Sequence, residues 1–126
     1  MFMNASQVIA QCIRDDGNDP SADLRTLATA VQHDAVKILQ ESRTVIVLLK
    51  LGAGQVEIHF YSQDKPVTML KSLMCLVAKI QATDIRRVYG KPDSLGRLEN
   101  TLKFLKRRGV AVVTSDNPNY EWMANV

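Results

Sequence analysis

The sequence predicts an α/β fold, a mixed and mostly antiparallel central sheet of about six strands with helices on both faces. Three features carry that expectation. Val45–Leu49 is an uninterrupted run of β-branched and aliphatic residues, the pattern of a strand covered on both sides. Met69, Leu70, Leu73, Met74, Leu76, Val77 and Ile80 form a broad apolar stripe at helical spacing, suited to lying across a sheet. That single helix separates a strand at 55–61 from a strand at 85–89, so the two should run parallel through a right-handed crossover.

The remaining elements follow from local chemistry. Asn4 can cap a first helix with Val8, Ile9, Cys12 and Ile13 on one stripe, ending near Gly17. Asn18-Asp19-Pro20 reads as a turn, and Ser21 as the cap of a second helix. In that helix Leu24, Leu27, Ala28 and Val31 are expected to face inward, with Asp23 in the first turn. After His33 the period shortens: Val36 and Ile38 alternate with polar neighbours, then Arg43–Leu51 is rich in β-branched residues. Gly52-Ala53-Gly54 closes a hairpin. Val56, Ile58 and Phe60 then point to one face, with Glu57, His59 and Tyr61 on the other. Pro66 fits the first position of the long helix. Ser94 can cap a last helix with Leu95, Leu98, Leu102 and Leu105 inward and Gly109 as its left-handed cap. Strands at Val110–Val113 and Tyr120–Met123 complete the pattern. No shift in composition divides the chain, so residues 1–126 read as one domain, with helices over 1–33 and the sheet and two long helices over 34–126.

Composition narrows the function classes. A chain of 126 residues, 46% hydrophobic and 23% charged, is ordinary for a globular domain. A chain of this size buries roughly two thirds of its unfolded surface and needs no staple. Cys12 and Cys75 both lie in apolar helical patterns and read as small buried hydrophobes rather than a disulfide. The first ten residues lack the charged and apolar regions of a signal peptide, and no apolar run is long enough to span a bilayer. The expected location is inside the cell, or in a particle assembled there. Net charge is +3. Residues 1–34 carry more Asp than Arg, and the positive excess gathers over Arg86–Arg108.

From about Gln32 onward, the order of a three-strand meander, helix, strand, helix and strand resembles the GNAT acetyltransferase superfamily. The closest local match runs from Ile85-Arg86-Arg87-Val88-Tyr89 to Lys106-Arg107-Arg108-Gly109-Val110, where Gly109-Val110 stands in the place of that family's Gly-Phe pair. The resemblance implies an acyl-CoA site between two central strands that splay apart. It also implies a pyrophosphate loop at Gln63-Asp64-Lys65-Pro66-Val67-Thr68, whose backbone N–H groups would face the phosphates. Here the loop departs from the family pattern. Pro66 stands at the first glycine and has no N–H, Thr68 replaces the second small residue, and Asp64 brings a carboxylate to the phosphate site, offset in part by Lys65. The tyrosine that serves many members as general acid is replaced by Leu105. The expectation is a domain without cofactor and without catalytic residues. It is also similar to short GNAT-like proteins of tailed bacteriophages, which implies a virion or assembly component, and a cytoplasmic one if the chain is not phage-encoded. The alternative is an acetyl-CoA-dependent N-acyltransferase with a degraded loop.

Other constellations also admit plainer readings. Glu57 and His59 share one strand face and could pair as acid and base, though a solvated or protein-contacting face accounts for them as well. Two His and two distant Cys lack metal-ligand spacing. Lys103, Lys106 and Arg107 share a helix face. Without interleaved aromatics or a larger charge this face argues against nucleic acid and for solvent or an acidic protein surface. Tyr120 and Trp122 in the tail either pin the last strand or anchor an interface. The resemblance implies other virion or assembly proteins in an oligomeric setting as partners, and the residues offer Lys103, Lys106, Arg107, Tyr120 and Trp122 as the contacts.

Overall fold

The fold is known from a computed structural model that describes residues 3–91, 106–107 and 109–126. Its elements are α1 (Ala5–Asp15), α2 (Ser21–Gln32), β1 (Val36–Glu41), β2 (Thr44–Gly52), β3 (Gln55–Ser62), α3 (Pro66–Gln81), β4 (Arg87–Gly90), β5 (Val112–Thr114) and β6 (Trp122–Asn125). The strands form one sheet in the order β1-β2-β3-β4-β6-β5. The β3–β4 pair is parallel, and the other neighbours are antiparallel. The expected α/β class, mixed sheet and crossover are therefore present. The helix expected over 94–105 lies outside the described residues, as does Lys103, while Lys106 and Arg107 are helical and exposed.

Strand β2 organises the packing. Its residues from Thr44 to Leu48 are all buried. On one face Ile46 and Leu48 join Val56 and Val88 under Leu73, Leu76 and Ile80 of α3. On the other, Val45 and Val47 pack with Val36 against Val8, Ile9 and Cys12 of α1. Alternation in β3 obeys the same division, with Ile58 and Phe60 toward α3 and Tyr61 toward α1 and α2.

Several local expectations need correction. Ser21 is the first residue of α2 rather than its cap, because the Asp19 carboxylate accepts from both Ser21 N and Ser21 Oγ at 3.0 and 2.8 Å. Leu24, Leu27 and Ala30 of α2 face the sheet, whereas Ala28 and Val31 are exposed, Val31 to 46%. The helix has no fully buried residue and rests on the sheet along a narrow stripe. Cys12 is buried as expected, with its thiol donating to Ser62 O, but Cys75 is exposed, on the side of α3 away from the sheet. Trp122 is 6% exposed and belongs to the core under α3. The indole is therefore a strand-pinning core group with little surface left to anchor an interface.

Two glycines test these relationships from opposite sides. A Cβ on Gly90 would lie 1.9 Å from Trp122 Cε2, so the flat strand backbone there is the seat of the indole. Gly109 has φ of 84° and nothing within 4 Å of a built Cβ, as expected for a left-handed cap. Gly90→Ala should destabilise by at least about 1–3 kcal/mol through overpacking. Gly109→Ala should cost only about 1 kcal/mol through backbone strain. Urea unfolding of both variants checks the order; equal losses would contradict the seat that Gly90 provides for Trp122.

Candidate functional site

The segment Gln63–Thr68 joins β3 to α3 and contains the positions that the resemblance would assign to a phosphate loop. The side chains of Gln63 and Asp64 are engaged within the domain. Gln63 donates its backbone N–H to Arg43 O at 2.8 Å, and its amide reaches Asp15 Oδ2 and Cys12 Sγ at 3.1 and 3.2 Å. Asp64 holds the β1–β2 turn. Its Oδ1 accepts from Ser42 Oγ at 2.8 Å, and its Oδ2 accepts from Arg43 N at 2.9 Å and Thr44 Oγ1 at 2.8 Å. Ser42 has φ of 54°, so this turn bends through the left-handed region, and Asp64 supplies the acceptors that keep it there. Ser62 Oγ completes the ring, accepting from Asp64 N and sharing a 2.8 Å bond with Thr44 Oγ1. Lys65 precedes α3 in extended geometry, Pro66 occupies the first turn, and Pro66, Val67 and Thr68 are exposed.

The second constellation lies where β3 and β4 part. Their ladder holds three pairs, Gln55↔Arg87, Val56↔Val88 and Glu57↔Tyr89, and Ile58–Ser62 has no β4 partner. Glu57, at the last pair, is 6% exposed. Its Oε1 accepts from the Tyr120 hydroxyl at 2.7 Å and lies 3.7 Å from Lys91 Nζ, while its Oε2 pairs with His59 Nε2. The Tyr120 ring packs on Tyr89 with centroids 5.4 Å apart. The Tyr89 hydroxyl and Arg87 guanidinium both donate to Asp116, at 3.0 and 2.9 Å. The segment leading into β6 is thus tied to β3 and β4 through two carboxylates.

These contacts decide the chemistry. Burial pushes the Glu57 carboxyl up, but the Tyr120 and His59 hydrogen bonds and the His59 and Lys91 charges outweigh it, leaving the group below the ordinary carboxylate range. Such a carboxyl stays ionised near neutrality and has no proton to donate. Tyr120 is pushed up to about 12 by burial and by the hydrogen bond and charge of Glu57. The pair behaves as a structural clamp: a charged acceptor and a tyrosine held neutral to donate to it. Glu57 was expected on a polar strand face, and its burial shows that the C-terminal segment covers that face. Tyr120 is 63 positions away in the chain, and nothing local in the sequence marks it as the partner.

Among the described residues, no group of His, Cys, Asp and Glu could hold a metal ion, and no helix is long and apolar enough to cross a membrane. Comparison with protein-family models, curated proteins and solved structures returned no match. The geometry therefore carries the functional reading alone.

The Glu57 clamp sets a pH dependence. With its folded value lowered, the stabilisation is present above the unfolded carboxyl range and is lost as pH falls through the folded value. Tyr120→Phe should destabilise by about 1–3 kcal/mol at neutral pH, as expected for a hydrogen bond to a buried charge, and should flatten the loss of stability on acidification. A variant with wild-type stability and an unchanged acid limb would contradict the clamp.

Proposed function

We propose that the chain is a non-catalytic domain of GNAT-like fold acting through protein–protein contacts, as a small bacteriophage virion or assembly component. The observation that carries the non-catalytic reading is the engagement of Asp64. In the segment that would cradle a pyrophosphate, a carboxylate accepts from Ser42, Arg43 and Thr44, and Pro66 withholds an N–H at the start of α3. A phosphate arriving there would meet a fixed negative charge whose removal would release the β1–β2 turn. The GNAT-like part rests on strand order and on the short parallel ladder between β3 and β4, which matches two central strands that part along their length.

The interaction reading draws on the exposed basic pair Lys106 and Arg107, supplemented by Lys103, whose surroundings lie outside the described residues. Such a patch suits an acidic protein surface, and its contribution should fall with salt because exposed charges are screened over roughly 10 Å at 0.1 M. Trp122 is not part of this surface, being in the core. The role therefore passes to the basic pair, while Tyr120 is half-buried and held in the clamp with Glu57.

Calorimetric titration with acetyl-CoA should show no binding. A dissociation constant below about 100 µM, or roughly 5 kcal/mol of affinity, would overturn the non-catalytic reading in favour of an N-acyltransferase that uses the residual amides of α3. Separately, Lys106→Glu/Arg107→Glu should abolish entry into the native assembly. Normal incorporation of that variant would remove the basic helix as the contact.

A further inference from the structure

A crevice of about 210 Å³ runs between α2 and the sheet. It lies where α2 packs on the sheet through the part-buried Leu24, Leu27 and Ala30 and has no fully buried residue. Val47 and Leu49 of β2 form its floor, and Ile9 of α1 closes one side. Its polar lining comes from Asp23 and Thr26 in the first half of α2 and from His59 and Tyr61 of β3. Thr26 is engaged, donating to Ala22 O at 3.0 Å, and His59 is engaged with Glu57. Among the described residues, Asp23 makes no ion pair and the Tyr61 hydroxyl makes no hydrogen bond. The two groups feel each other: burial raises the Tyr61 hydroxyl above its ordinary value, and the Asp23 charge adds to it. His59, already paired with the buried Glu57, is the only basic group lining the crevice among the described residues.

This combination selects a ligand class. An apolar floor favours an aliphatic body. A carboxylate without a cation beside a tyrosine ring and hydroxyl favours a compact positive charge with N–H donors. A carboxylate ligand would meet Asp23 and, behind His59, Glu57. We propose that the crevice binds an alkylammonium group, its charge against Asp23 and Tyr61 and its chain over Leu27, Val47 and Leu49. The site is formed by α2 and the β1–β2–β3 half of the sheet, away from the parting of β3 and β4 and from the loop at 63–68. It therefore stands or falls independently of the non-catalytic reading. The ammonium could belong to a free amine or to a lysine side chain presented by another protein, and the two are separable by experiment.

The test is a two-dimensional NMR titration of the full chain with n-hexylammonium, n-hexanol, hexanoate and Nα-acetyl-lysine N-methylamide. Saturable shifts confined to Asp23, Val47, Leu49, His59 and Tyr61 are expected with the two ammonium probes. Hexanol should bind at least tenfold more weakly, and hexanoate not at all. Tighter binding of hexylammonium assigns the site to a free amine, and tighter binding of the capped lysine to a side chain. Asp23→Asn, at an exposed position, should keep the melting temperature within a few degrees and lose the preference for ammonium over hexanol, while Asp23→Glu should retain it. Equal affinity for ammonium and alcohol, an Asp23→Asn variant that still prefers ammonium, or no saturable shift with either cation would each overturn the proposal.

Discussion

The structure depends on one constraint: β2 must be dry on both sides. From Thr44 to Leu48 no residue of this strand reaches solvent, so each face needs its own cover, and each receives it from a different part of the chain. The segment before the sheet supplies α1, and the crossover between the parallel strands supplies α3. Each fully buried aliphatic side chain contributes roughly 1.5–3 kcal/mol relative to exposure, so failure to cover either face would remove a large share of a domain's stability. The quality of cover differs. Leu73, Leu76 and Ile80 of α3 sit in the core, whereas α2 lies beside α1 without burying any residue fully. The crevice under α2 is a direct result of that inequality.

Carboxylates are used in the same way at three separate places. Asp64 satisfies the β1–β2 turn, Glu57 receives Tyr120 and His59, and Asp116 receives Tyr89 and Arg87. In each case a charged acceptor joins segments distant in the chain, where hydrogen bonds to ions are stronger than neutral ones. Leaving a buried donor unpaired would cost about 1–3 kcal/mol. These groups therefore resist reuse. A ligand that competed for Asp64 or Glu57 would have to release a turn or a terminal strand. Asp23 differs in kind because it meets no cation among the described residues, and it stands at the edge of the least tightly packed element.

The parallel pair is the other feature from which the architecture follows. Three residues of β3 pair with β4 before the strands part, and the edge released by that parting is bridged by side chains rather than by a longer ladder. Tyr120 reaches across from the segment before β6, and its ring is steadied on Tyr89. The seat of Trp122 over Gly90 lies on the opposite face of the same region. The C-terminal strand is thus fastened from both faces, by an apolar plug on one and by a charged clamp on the other.

Much of this was legible in the chain because it follows from periodicity. The apolar run at Val45–Leu49 required a strand with two covered faces, the stripe on 66–81 required a helix across it, and one intervening helix required a parallel pair. Gly109 declared its left-handed conformation because no other residue adopts it so readily. What remained hidden depended on register between distant strands. Whether Glu57 meets water or Tyr120 is decided by how β6 aligns beyond β4, and whether Trp122 is a surface anchor or a core plug is decided by which face of β6 it occupies. The same limit applies to α2, where Val31 and Leu27 are equally apolar in sequence but only the angle of the helix on the sheet determines which is buried. The sequence by itself determined the order of the described elements, the twice-buried strand and the loss of a backbone donor at Pro66. Only the tertiary structure decided which carboxylates became internal acceptors and where a crevice stayed open, because both depend on the meeting of side chains from segments that share no local pattern.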